Sequence, residues 1–245
     1  MKFIKVFADD AAYKAYRVSK SYEMPNVSLS RGTKKVYYNV DANGKKYEDL
    51  GLPSGTLWAT MNVGASEATD AGLYFQWGDT NGYTKGQVGT GNGQKKFAGD
   101  YSDYTLYLSG TEQENNIKFK KYTTSGATLE LEDDAANKNW GGDWHMPTPD
   151  QIQELIDNTT TAWTTSNGTG VTFTSTANGK SIFIPAAGYA FDGSVKLNGR
   201  YGRICSSMLF YGDIYTTRSF NIASGDSFLG TANRANGLSI RGVIG

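Results

Sequence analysis

Beyond residue 46, helix signals are confined to the middle of the chain, and this most limits the fold. "LEDDAANKNW" (131–140) reads as a short helix whose acidic start suits the positive end of a helix dipole. "MPTPDQIQELIDN" (146–158) carries a second helix, with Thr148 as N-cap, Gln151 three residues on, and Pro149 at the first helical position. Ile152, Leu155 and Ile156 form its apolar face. On either side the chain reads as short strands. "VTFTST", "SIFIPAA", "SFNIAS" and "LSIRGVI" are separated by Gly and Asn turns, and residues 47–85 are strand-like and turn-rich. Thirty glycines and sixteen tyrosines against five prolines, in 245 residues, fit many short strands joined by turns. The pattern predicts an α+β fold with mixed antiparallel sheets and two central helices.

A small α/β unit is expected ahead of it, over residues 1–45. "KFIKVF" alternates as a strand. "DDAAYKAYRVS" has helical spacing, and "NVSLS" and "KKVYYNV" flank the turn "RGTK". Such a unit is too small to be stable alone, so docking or oligomerisation is expected of it. "DANGKK" (41–46) reads as a linker or hairpin turn before a second domain at 46–245. The first residues lack the apolar stretch of a signal peptide, and no segment approaches a transmembrane span. Synthesis in a cytoplasm without standard export is the expectation, with no membrane insertion. Twenty-four basic and 24 acidic residues leave no net charge and no long basic run, which argues against a nucleic-acid partner.

Candidate chemistry is sparse. "NWGGDWHMPT" (139–148) holds two of five tryptophans and the sole histidine, His145. General-base work needs a positioned second group, and there is no second histidine, so His145 is read as structural. Cys205 is the only cysteine, which excludes an intramolecular disulfide and a cysteine-based zinc cluster. Glu130, Glu132, Asp133 and Asp134 offer calcium-type oxygens without EF-hand spacing and read as a helix start. Asp79, Asp100 and Asp103 form no recognisable glycosidase pair. The Gly-rich stretch 86–99 fits neither a P-loop nor a dinucleotide fingerprint and reads as a mobile surface loop. No catalytic residue, metal or cofactor is expected.

Three stretches carry a family resemblance: "DLGLPSGTLWATMNVGASEATDAGLYFQWGDT" (49–80), "LEDDAANKNWGGDWHMPTPDQIQELIDN" (131–158), and "SIFIPAAGYAFDGS" (181–194) with the ending "NGLSIRGV" (236–243). In order and content they resemble the Fibrobacter succinogenes major paralogous domain. That family is similar in fold to C-type lectins and formylglycine-generating enzymes, and to the variable proteins of diversity-generating retroelements. The resemblance spans residues 47–245. It implies a C-type lectin-like domain in which "NWGG.W.MPT" is a core motif and the last strand is fixed. Formylglycine-generating chemistry needs two cysteines, so the single Cys205 argues against that activity. "MPNVSLSRGTKKVYYN" (24–39) resembles a segment of Bacteroides phage structural proteins and implies a virion attachment unit.

The resemblance places the changeable, ligand-binding positions between Phe191 and Asn236. The expected site is Phe191, Arg200, Tyr201, Arg203, Ile204, Cys205, Met208, Tyr211, Asp213, Tyr215, Thr216, Arg218 and Asn236. Tyrosine and arginine are what an adaptable binding face presents. The function implied is that of a phage virion protein, a tail or head fibre assembled in the host cytoplasm. It would recognise a bacterial surface glycan or protein and contact other virion proteins through its N-terminal unit, as a homo-oligomer, with a trimer the form that phage fibres imply. The alternatives are a non-catalytic capsid or tail decoration protein and an exported Bacteroidetes surface adhesin.

Overall fold

A computed structural model describes residues 39–245, apart from 42, 112, 113 and 115. The strand, helix and hairpin expected before residue 39 lie outside the described residues. In chain order the strands are β1 (Asn39–Val40), β2 (Lys46–Asp49), β3 (Leu57–Ala59), β4 (Tyr107–Ser109), β5 (Lys118–Phe119), β6 (Thr159–Thr164), β7 (Gly170–Ser175) and β8 (Ser181–Pro185). They continue with β9 (Tyr189–Phe191), β10 (Ser194–Lys196), β11 (Tyr201–Leu209), β12 (Thr216–Ala223), β13 (Asp226–Asn233) and β14 (Val243–Ile244). Two α-helices, α1 (Ala135–Trp140) and α2 (Pro149–Asp157), sit between β5 and β6. The strand pairings within the sheets are antiparallel.

The Asn-Gly signal of "DANGKK" is a hairpin turn. Gly44 takes a φ of 76°, and the Asp41 carboxylate accepts from the Asn43 and Lys45 amides. Asn39 and Val40 pair with Tyr47 and Lys46 of β2, across the boundary drawn after residue 45. Their sheet runs β1-β2-β3-β14 and joins the two ends of the described chain.

Helix α2 starts as its sequence dictates. Thr148 Oγ1 accepts from the Gln151 amide (3.2 Å), and Gln151 Oε1 accepts from the Thr148 amide (3.0 Å). Ile152 and Leu155 are fully buried against Phe173, Phe220 and Ile222, while Ile156 is partly buried there. The Phe173 and Phe220 rings lie 5.2 Å apart. This cluster covers one face of the β11-β12-β13 sheet. The other face, around Cys205 and Ala232, packs into a second cluster with Trp77, Trp140 and Trp144.

Residues 234–243 are buried without exception. Sequence alternation predicts a strand over 238–244, but only Val243–Ile244 pairs as one. The rest bridges a different segment at nearly every step: Gly237 to Ala190, Leu238 to Phe75, Ser239 to Ile204. It is a central spine, and it needs glycine at two close approaches. A Cβ on Gly237 would come within 2.5 Å of the Phe97 ring, and one on Gly242 within 2.5 Å of the Trp140 ring.

Candidate functional site

The "NWGGDWHMPT" motif is held as a structural knot. Trp140 and Trp144 meet edge-on at 4.9 Å. Trp144 Nε1 donates to Asp41 (2.6 Å), and Asn43 donates to the Trp140 carbonyl (2.9 Å), which ties the motif to the β1–β2 turn. Asp134 caps α1 by accepting from the Asn137 amide (3.0 Å) and also accepts from the Met146 amide (2.8 Å). Burial pushes its carboxyl above the ordinary aspartate range. His145 is paired through its backbone with Val243, and its ring nitrogens face the Met146 and Gly245 carbonyls at 2.9 and 3.0 Å. Its surroundings are those of a packing residue.

The acidic groups are engaged as well. Glu130, Glu132 and Asp133 carry carboxylate oxygens within 4.8 Å of one another. Lys121 Nζ reaches all three, at 2.6, 2.9 and 2.7 Å. Hydrogen bonds to Asp133, then Glu130 and Glu132, hold the lysine above its usual range, so a protein cation already occupies the centre. Asp103 accepts from the Phe97 and Ala98 amides (2.7 and 2.8 Å), and Asp79 accepts from Asn81 N and Thr105 Oγ1. The Gly-rich stretch is therefore anchored, with Phe97 fully buried at its end.

The structure revises the expected ligand-binding set. Ile204 and Cys205 are core residues, because both faces of β11 are covered at its middle. Burial pushes the Cys205 thiol up to about 12, far from a reactive thiolate. An alkylating reagent is expected to leave Cys205 unmodified in the native protein and to label it fully in denaturant. Rapid native labelling, read by intact mass, would show that this face of β11 is open. Asn236 is also largely buried, and its Oδ1 has no donor. Asp213 is a turn anchor that accepts from the Tyr215 and Thr216 amides (both 2.7 Å) and from the Thr216 hydroxyl. Tyr215 packs on Phe119 at 6.0 Å, Met208 is half-buried beside Thr128, and the Phe191 ring fills the space left by Gly99.

The residues left at the surface divide into two groups. Arg200, Tyr201 and Arg203 lie at the start of β11, while Tyr211 (70% exposed) lies past its end and Arg218 lies on β12 with its guanidinium 5.5 Å from the Phe210 ring. Eight residue steps place Tyr211 on the order of 25 Å from Arg203, and Arg218, three residues along β12 from Asn221, the partner of Arg203, points to the opposite face of the sheet. They are not one continuous patch.

At the first group, the Arg203 guanidinium sits 4.3 Å from the Tyr189 ring centroid and 5.4 Å from that of Tyr201. Its Nε is buried without a partner, and none of its nitrogens meets a carboxylate or carbonyl among the described residues. The contrast with two other arginines is sharp. Arg234 is fully buried among Phe119, Trp77 and Tyr104. It donates to the Tyr104 hydroxyl (2.9 Å) and to the carbonyls of Ile214, Tyr122 and Lys121. Arg241, also fully buried, donates to Ala59 and Phe183 carbonyls, and burial lowers its pKa to about 9. Sequence reading missed both, because an arginine beside alternating apolar residues suggests a solvent-facing position. It also missed Tyr189, which arrives from another hairpin.

Comparison with known proteins finds no matching family model, no matching curated protein and no matching solved structure.

Proposed function

We propose that the chain is a recognition protein of a phage virion, with a C-type lectin-like domain that binds a bacterial surface receptor or glycan. The observation that carries the reading is Arg203, a half-buried guanidinium set against the Tyr189 and Tyr201 rings with no hydrogen-bond partner among the described residues. Planar stacking on an aromatic face preorganises the donor fork, so little side-chain entropy is lost when a ligand oxygen arrives. A sheet packed between two hydrophobic clusters is a rigid platform for such a group. The tryptophan knot agrees with the core role that the family resemblance assigns to it. The N-terminal unit would attach the domain to the particle, and the chain would work as a homo-oligomer.

Sequencing the DNA that flanks the gene tests this reading. A reverse transcriptase, virion genes and a near-copy of the segment for residues 190–240, differing mainly at adenines, are expected beside it. Virion genes alone would leave a phage protein with a fixed surface. Finding none of these would overturn the phage reading and move the domain to a bacterial surface.

A further inference from the structure

We infer that the start of β11 is a carboxylate-binding subsite for an acidic saccharide, such as a uronate residue of a surface polysaccharide. The inference rests on the recognition reading above and names its ligand class.

The β register builds the subsite. Arg203 on β11 lies directly opposite Asn221 on β12, and Asn221 lies opposite Phe228 on β13. Directly opposed residues of antiparallel strands share a face, so these three form one rung across the sheet. On the neighbouring hairpin, Lys196 lies opposite Tyr189, so the ammonium leaves the same face as the ring that stacks on Arg203. Two cations thus flank one tyrosine.

Neither cation has an anionic partner among the described residues. Asp192, in the turn of the same hairpin, is paired with Lys96 at 3.0 Å. Asp226, opposite Ala223 and so level with Tyr201, stands two residues further on and two strands away, roughly 12 Å across the sheet. Two like charges at a site with a buried, unpartnered Nε favour the arrival of an anion. A carboxylate matches the guanidinium fork in two parallel hydrogen bonds.

The remaining groups favour a sugar over a peptide. Among the described residues no partner meets the hydroxyls of Tyr189 and Tyr201, and Asn221, buried at 2% exposure beneath them, has no acceptor for its Nδ2. The site is therefore rich in donors. A uronate brings carboxylate and hydroxyl oxygens to them, whereas a peptide also brings amide N–H groups that need acceptors. Phe228, 41% exposed at the end of the rung, offers an open ring for the apolar face of a pyranose.

The test is calorimetric titration of the full chain with tetragalacturonate, with its methyl ester, and with a tetraglutamate peptide. Saturable binding of tetragalacturonate is expected, with no binding of the ester and weaker binding of the peptide. Arg203→Ala should weaken it about tenfold or more, the loss of one charged hydrogen-bonded contact. Arg203→Lys, which keeps the charge but not the fork, should recover only part of it, and Lys196→Ala should weaken it less than Arg203→Ala. Unchanged melting of Arg203→Lys would establish that the loss is local. Equal affinity for acid and ester, or undiminished binding by folded Arg203→Ala, would overturn the subsite. Equal binding of the peptide would overturn the saccharide assignment. Retention of the chain on bacterial envelopes without competition by tetragalacturonate would sink this inference alone. Absence of any envelope binding would sink the recognition reading beneath it.

Discussion

Trp144→Ala should cost about 4 kcal/mol of folding stability, the usual result of deleting a large buried aromatic. Trp144 is 1% exposed, stacks edge-on with Trp140, meets Tyr47 at 6.5 Å and donates to Asp41. The deletion would open a cavity beneath the spine and leave the buried side of the β1–β2 turn without its anchor. Trp144→Phe is the graded variant. It keeps most of the ring and loses the indole donor, for about 1–2 kcal/mol. His145→Ala, one residue away, should cost about 1 kcal/mol, because its two ring contacts are to backbone carbonyls at the domain's edge. Denaturant titration of the three variants checks the order. If His145→Ala were the most damaging of them, the motif would be built around the histidine and not the tryptophans.

Arg234→Leu is expected to be nearly as severe, at about 3–5 kcal/mol. It leaves the Tyr122, Ile214 and Lys121 carbonyls and the Tyr104 hydroxyl without a donor in a fully buried setting. It also removes the cation from the face of Phe119, 4.1 Å away. Arg241→Met is the comparator. Arg241 satisfies only two carbonyls, and its Nε has no partner. Burial already disfavours its charged form. Its replacement should therefore cost clearly less than that of Arg234, read as the difference in denaturant midpoint at equal slope. Equal costs would mean that size, and not hydrogen bonding, decides both sites.

What was legible in the sequence was local. The Thr148–Gln151 capping box and Pro149 fixed the start of α2 because the groups involved lie within one helical turn. Asn43–Gly44 marked its hairpin for the same reason, and the tryptophans of the motif were recognisable as core. What stayed hidden depends on contacts between distant segments. The strand expected over 238–244 became a spine because consecutive residues found different neighbours. The family resemblance assigns Ile204 and Cys205 to the ligand-binding set, and one strand's sequence cannot show that both of its faces are covered. The Arg203 site combines Tyr189, Arg203 and Asn221 from three strands, and only the register brings them together.

The most direct measurement is equilibrium binding of the full chain to isolated Bacteroidetes cell envelopes, with folded Arg203→Lys in parallel. The recognition reading predicts saturable binding by the wild type, weakened in the variant but by less than the roughly tenfold loss expected of Arg203→Ala, and the subsite inference adds displacement by tetragalacturonate. Retention no greater than that of an unrelated protein of similar size would contradict it.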